Sequence, residues 1–258
     1  MSKQWFENSK LWKGISPFIF SEGSFSAARQ ELKDLLFLLQ PLIQSESQEG
    51  VQALDLGSGP GRHTLPLLDF GYAVDAVDLN KSYLEELTNR AGSNSESLKI
   101  LHQDMRVALL ENRYDLAICL FTSFGYFEDW DDNLKLLKNI FSSLKDGAYF
   151  VLEVTSPSNF ICDDKGMGNR RRQISADDSL VEVWKVTSVA SHRRVQNDWT
   201  FMTKGKTQRF QFQHWLFTKK DLEQLLEEAG FRSSLFYSTY KGHAYSPESE
   251  SIIVLAQK

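Results

Sequence analysis

Apolar positions change their spacing along this chain, and each spacing predicts a different kind of element. Leu32, Leu35, Leu36 and Leu39 fall at i, i+3, i+4 and i+7, which predicts an amphipathic helix over 24–40 stopped by Pro41. From residue 51 onward, short apolar runs alternate with helix-length patterns. Strands are expected at 51–56, 73–79, 97–103, 114–121 and 148–154. Helices are expected at 62–70, 81–91 and 132–144, the last capped by Asp131 or Asp132 and ended by Gly147. A helix over 218–229, with Thr218 as its cap and Gly230 as its stop, precedes two final strands at 233–240 and 251–257. Only a loop separates those strands, so they can pair antiparallel. Strands alternating with helices predict a doubly wound parallel sheet with helices on both faces, an α/β, Rossmann-like fold class.

Two regions break that alternation. Between 156 and 217 the runs "SLVEVWKVTSV", "RRVQNDWTFMT" and "TQRFQFQHWLF" alternate with period two, joined by short turns at "ASH" and "KGK". They predict an inserted antiparallel β meander with Val181, Val183, Phe210, Phe212 and Trp215 on its apolar face. That face covers the α/β body, a ligand or a second subunit, so a homodimer through the insert is one expectation. The stretch before the first helix carries Trp5, Phe6, Trp12, Phe18 and Phe20. It either packs against the body or forms a lid. The expected organisation is therefore a leader and helix over 1–45, a body over 46–155 and 218–258, and an insert over 156–217.

Composition narrows the partners more than the fold. The chain has 258 residues, 41% of them hydrophobic and 24% charged, as an ordinary globular protein does. A formal net charge of −5 disfavours free nucleic acid. Arg170, Arg171 and Arg172, like Arg193 and Arg194, are expected as solvated loop or strand-end charges. Cys119 and Cys162 make no disulfide framework. "MSKQWFENSK" does not read as a signal peptide, and the apolar run "LLFLLQPLI" is too short to span a bilayer. The expectation is a cytoplasmic protein with no membrane partner.

The stretch "VQALDLGSGPGRHTLPLL" carries the chemistry. Gly57, Gly59 and Gly61 form a G-x-G-x-G loop at the carboxyl end of the first strand, where a parallel sheet holds its ligands. Glycines let a ligand approach the backbone, and the next helix aims its first amides at it. A dinucleotide fingerprint would place the third glycine one residue later, where Arg62 stands. Asp55, before the loop, suits a cationic ligand end better than a pyrophosphate. Asp78 ends the second strand and can accept both hydroxyls of a ribose. Asp104 and Met105 follow the third strand, suited to an adenine amino group and ring. Acids ending three successive strands around a glycine loop point to a bound nucleoside.

At these residues, "LDLGSGPGRH…VDAVDLN…HQDM…YDLAICLFTSFGYFED…LKDGAYFVLEV", the chain resembles the class I S-adenosylmethionine (SAM)-dependent methyltransferases. It is similar in particular to bacterial members with a G-P-G-R-H loop and S-F-G-Y-F after strand four. The likeness is firm over about 50–155 and weak elsewhere. It implies a seven-stranded sheet with an antiparallel last strand and SAM as cofactor, with S-adenosylhomocysteine (SAH) as product. It also implies that Asp55, Gly57, Ser58, Gly59 and Gly61 line the methionine end. Asp78 and Leu79 would meet the ribose, Asp104 and Met105 the adenine. Leu120, Phe121, Thr122 and Ser123 would sit near the sulfonium. The reaction expected is methyl transfer to an N or O atom of a small-molecule acceptor, roofed by the insert and the leader. Alternatives are tRNA or protein methylation, and a non-catalytic SAM-binding or dimerisation module.

Methyl transfer from a sulfonium chiefly needs alignment and desolvation, with a base where the acceptor carries a proton. Candidates at strand ends are Tyr126, His63 and Glu153. Arg106 is expected to pair with Asp104. The chain lacks the Asn/Asp-Pro-Pro-aromatic motif of DNA amino-methylating enzymes and has no Pro-Cys pair. No metal site is expected, because the five histidines are scattered.

Overall fold

The first strand reads Q-A-L-D-L, with apolar side chains on both faces, as a central parallel strand requires. In the computed structural model, which describes residues 7–40, 50–107, 109–175, 177–203 and 206–258, that strand lies inside a seven-stranded sheet. The elements run α1 (Ser9–Ile19), α2 (Glu22–Leu39), β1 (Gln52–Leu56), α3 (Thr64–Asp69), β2 (Ala73–Asp78), α4 (Lys81–Ala91), β3 (Leu98–His102), β4 (Tyr114–Cys119), α5 (Asp131–Ser143) and β5 (Leu144–Thr155). The insert follows as β6 (Met167–Gln173), β7 (Asp178–Val189), β8 (His192–Thr203) and β9 (Lys206–Leu216). Then come α6 (Lys219–Ala229), β10 (Ser233–Tyr237) and β11 (Ser251–Gln257). The large sheet has the order β10-β11-β5-β4-β1-β2-β3. Only β11 runs against its neighbours, pairing antiparallel with both β5 and β10. The doubly wound expectation and the antiparallel last strand both hold.

Each central strand feeds two cores. Leu54, Leu56, Ala117, Cys119, Phe150 and Leu152 pack under α5 and α6. Ala53, Leu116, Ile118, Tyr149 and Val151 pack under α2 and α3. Cys119 is a buried free thiol in the first of these cores. The helix α6 starts as expected, with a capping box in which Thr218 and Asp221 satisfy each other's backbone amides. Among the described residues, no helix is long and apolar enough to cross a membrane.

Several boundaries move, each for a local reason. Trp130, not Asp131 or Asp132, is the N-cap residue of α5, and it makes no side-chain cap. Asp132 is instead drawn to Arg106, 2.7 Å away. The helix ends at Ser143, and Gly147 (φ +79°) lies within β5, where the register with β4 slips. The leader contains a helix, α1, around Pro17. Pro41, expected to stop α2, lies outside the described residues, as do Trp5 and Phe6.

The insert is a separate four-stranded antiparallel sheet, β6-β7-β8-β9, with one strand more than the pattern predicts. The extra strand β6 contains the arginine run, so those side chains alternate between faces instead of fraying in a loop. Its register also corrects the expected apolar face. Leu180, Glu182 and Trp184 are buried with Asn197 and Phe201, whereas Val183 is exposed. Val181 and Val183 share the outer face with Asp198 and Thr200. Trp215 shares the strand face of Val181 and Val183, and at the other end of the sheet that face is buried in the core under α5 and α6.

Candidate active site

The sheet reverses its strand order at β1, which lies between β2 and β4. Ligands of such sheets bind beyond the carboxyl ends at this switch point. The glycine loop stands there, tied down by its own amides: those of Gly57 and Ser58 both donate to the Val77 carbonyl, at 2.9 and 3.0 Å. Gly57 has φ +72°, and a Cβ there would lie 2.6 Å from that of Ser123, so the β1 and β4 loops can meet only over glycine. Gly61 (φ +96°) packs α3 against α4: a Cβ there would meet Leu87 at 2.5 Å.

Asp78 stitches the loop to the next helix. Its Oδ2 accepts from the Gly59 amide at 2.8 Å and its Oδ1 from the Asn80 amide at 2.7 Å. Burial raises its pKa, outweighing those two hydrogen bonds. Asp55 is 3% exposed and accepts from Thr64 Oγ1 at 2.6 Å. Burial pushes it up to about 6 against the attraction of His63. Asp104 is held by Arg106, as expected, with the guanidinium 2.7 Å from its carboxylate.

The β4 loop is held in a strained form. Phe121 and Thr122 have φ of +56° and +58°, the left-handed region that costs side-chain-bearing residues about 1–3 kcal/mol each. Glu153 supports the loop. Its Oε2 accepts from the Phe121 amide at 2.7 Å and from the Tyr240 hydroxyl at 2.5 Å, and Ser251 Oγ lies 3.4 Å from Oε1. From above, the Arg62 guanidinium lies 4.3 Å over the Phe121 ring. Arg62 also reaches Ser24 Oγ at 2.9 Å and Glu31 at 2.8 Å, so α2 is clamped to the glycine loop. His63 is buried in the same cluster, its Nε2 2.6 Å from Arg62 and 3.5 Å from Glu31.

These parts open on one cavity of about 870 Å³, within the usual range for a small-molecule site. At one end it is lined by Gly57, Ser58, Gly59, Asp78, Leu79 and Met105, and nearby by Asp104, Leu120, Phe121 and Thr122. Ser58 Oγ is buried there without a hydrogen-bond partner. Asp55 and Gly61 are not lining residues; they stand behind the loop. His63 and Tyr126 line the cavity, and Glu153 does not.

The insert was expected to roof the acceptor, but the polar character of the far wall was not expected from the sequence. It comes from the inner face of the insert: Arg170, Arg172, Glu182, Asn197 and His214 among Trp199, Phe201 and Phe212. Their signal was a charged residue recurring where strand alternation demands an inward side chain, as Glu182 does between Leu180 and Trp184. His214 is 6% exposed and burial lowers its pKa to about 4, against a hydrogen bond to its neighbour's backbone. Its Nδ1 meets the Trp215 carbonyl at 3.0 Å, so the neutral ring keeps its proton there and leaves Nε2 bare. The Tyr126 ring packs edge-on to it at 5.9 Å, and burial raises the phenol's pKa, which keeps the hydroxyl protonated. The leader closes the remaining side. Phe18 stacks on Phe201 at 3.9 Å, Phe20 packs on Tyr83 beside Gly59, and Tyr83 donates to the Trp12 carbonyl at 3.1 Å.

A glycine loop at the switch point, with acids ending the strands around it, is the arrangement of a Rossmann-like nucleotide-binding fold. The chain belongs to the methyltransferase domain family, whose model matches residues 25–233. It is 23% identical over 223 residues to YqeM of Bacillus subtilis (strain 168), a methyltransferase by name, covering 84% of this chain and 87% of that protein. The cypemycin N-terminal methyltransferase of a Streptomyces species is 23% identical over 213 residues, 81% of this chain and 84% of that one. In fold, the chain resembles the CcbJ methyltransferase from Streptomyces caelestis. The TM-score is 0.74 at 16% identity, covering 89% of this chain and 94% of that chain.

Proposed function

We propose that this protein is a SAM-dependent methyltransferase acting on an N or O atom of a small-molecule acceptor. The observation that carries the reading is the continuity of one cavity from the glycine loop and Asp78 to the polar wall of the insert. The residues at the loop end fit SAM: Asp78 offers a carboxylate at the ribose position, Met105 an apolar surface for adenine, and Ser58 a buried unpaired hydroxyl. Asp55 contributes negative charge behind the methionine end. When bound, SAM supplies a methyl group already activated on a sulfonium, which the acceptor takes by in-line displacement.

The protein's part is then alignment and exclusion of water. Glu153 acts by fixing the Phe121–Thr122 turn, since its carboxylate is already engaged with Phe121 and Tyr240. Tyr126, kept protonated, donates a hydrogen bond to the acceptor. His63 serves the clamp with Glu31 and Arg62. Bare Nε2 of His214 accepts from the acceptor's N–H or O–H. The name of the cypemycin relative, an N-terminal methyltransferase, favours an amine as the reacting group. Only Arg171 of the arginine run points away from the cavity, which weakens the tRNA-contact alternative.

Calorimetric titration tests the reading. SAM and SAH should both bind at micromolar levels while NAD does not. Asp78→Ala should weaken SAH binding about ten- to a hundredfold, the loss of charge-assisted hydrogen bonds. Failure of folded protein to bind SAM or SAH would refute the proposal.

A further inference from the structure

The wall opposite the glycine loop offers many more hydrogen-bond donors than free acceptors. Antiparallel register sets Arg170 opposite Glu182, Arg172 opposite Leu180, and Asn197 opposite Trp184, all on the inner face. Glu182, at 3% exposure, is the one carboxylate among them. It is already engaged: Arg170 Nε lies 2.7 Å and Arg172 Nε 2.9 Å from its Oε2, and Arg172 Nη2 lies 2.9 Å from its Oε1. Such a carboxylate orients two guanidiniums and has little capacity left for a ligand cation.

The guanidiniums, by contrast, are only partly used. Among the described residues Arg170 makes its hydrogen bond through Nε alone, with the guanidinium 5.7 Å from the Trp184 ring centre, and Arg172 keeps Nη1 free. Asn197 Nδ2, on a residue 5% exposed that lines the cavity, has no hydrogen-bond partner. Two guanidiniums against one carboxylate leave a net positive charge on this wall. A buried donor without a partner costs stability unless a ligand satisfies it. Donor-rich, cationic and planar, the set matches an oxyanion, which a guanidinium fork can grip through two oxygens. Trp199, Phe201 and Phe212 beside it provide an apolar surface for the body of the same molecule.

We propose that Arg170, Arg172 and Asn197 form an oxyanion subsite that binds a carboxylate or phosphate group of the methyl acceptor, with Glu182 as the strut that aims the arginines. This rests on the methyltransferase reading above, because it takes the ligand of that wall to be the acceptor. Acceptor choice would then be set by a negative group held away from the reacting atom.

The test uses the full chain saturated with SAH and titrated calorimetrically with phenyl phosphate, phenylacetate and benzyl alcohol. The two oxyanions should bind and the neutral alcohol should not, and the preferred anion distinguishes phosphate from carboxylate. Arg170→Gln and Arg172→Gln should each lower oxyanion affinity about tenfold, the loss of a charge-assisted hydrogen bond. Both should leave SAH affinity unchanged. Arg171→Gln, on the outer face of the same strand, should leave both affinities unchanged and so controls for folding and for general surface charge. Wild-type protein that binds SAH yet takes the oxyanions no better than benzyl alcohol overturns the subsite. So does equal loss of affinity in all three variants. Absence of SAH binding would count against the methyltransferase reading itself.

Discussion

Single residues set two opposing pH responses, His214 in the cavity wall and Asp55 behind the glycine loop. His214 has its pKa lowered from 6.5 to about 4 by burial, while burial raises Asp55 from 3.8 to about 6. Between about pH 4 and 6.5 the unfolded chain protonates His214 and the folded chain does not. Folding stability from this residue is therefore complete above about 6.5 and is lost as pH falls toward 4, by about 3 kcal/mol in all. Asp55 runs the other way. The folded chain keeps its proton up to about pH 6, so its contribution falls as pH rises from about 4 to 6. Urea unfolding of SAM-free protein across this range should show a shallow net slope. His214→Gln should leave a stability that decreases with rising pH between 4 and 6; a slope unchanged by the substitution would show that His214 is not buried neutral. The glycine loop was legible in sequence because bare backbone beside an acid is a local requirement of ligand approach. His214, Arg170 and Arg172 were not, because their direction depends on register with neighbouring strands.

Elements carry the closure of the site. α1 and the Phe20 that follows it reach from Gly59 and Tyr83 at the loop end to Phe201 in the insert, lining one side of the cavity. Removing residues 1–20 should spare most SAH affinity, since Asp78 and the glycine loop remain, and should abolish turnover by admitting water. Titration with SAH, followed by methyl transfer once an acceptor is in hand, checks this; retained turnover would mean that α1 is packing and no lid. The element itself was hard to anticipate. Leu11, Ile15, Phe18 and Ile19 have helical spacing, but Gly14 and Pro17 interrupt the run with two helix breakers. Strand β6 was missed for a related reason. Its edge position lets it carry three consecutive arginines, which lack the apolar alternation of a central strand. The regular α/β body was the easiest part to read, because a buried parallel sheet imposes continuous apolar runs and helices with one apolar stripe.

At the scale of the whole molecule, the insert is fastened to the body by the end of β9. Trp215 Nε1 donates to the Phe127 carbonyl at 3.0 Å and its amide donates to the Gly125 carbonyl at 2.8 Å. Its ring packs against Trp130, which in turn stacks on His192 of β8 at 3.6 Å. The contacts join the insert to the same turn that carries Tyr126, between β4 and α5. Because Trp215 and Phe217 belong to the core under α5 and α6, that core is incomplete without the insert. Body and insert should therefore unfold together, in a single calorimetric transition. Trp215→Phe keeps most of the apolar volume but strands the Phe127 carbonyl, at a cost of about 1–3 kcal/mol. For a chain of this size that corresponds to a fall in Tm of about 2–4 °C per kcal/mol, still as one transition. SAH binding should shift the whole transition upward, because a ligand held at the loop end stabilises every element that must fold with it. Two separated transitions in the wild type, with only one moved by SAH, would mean that the insert folds on its own, and the acceptor wall would then be free to move relative to the donor site.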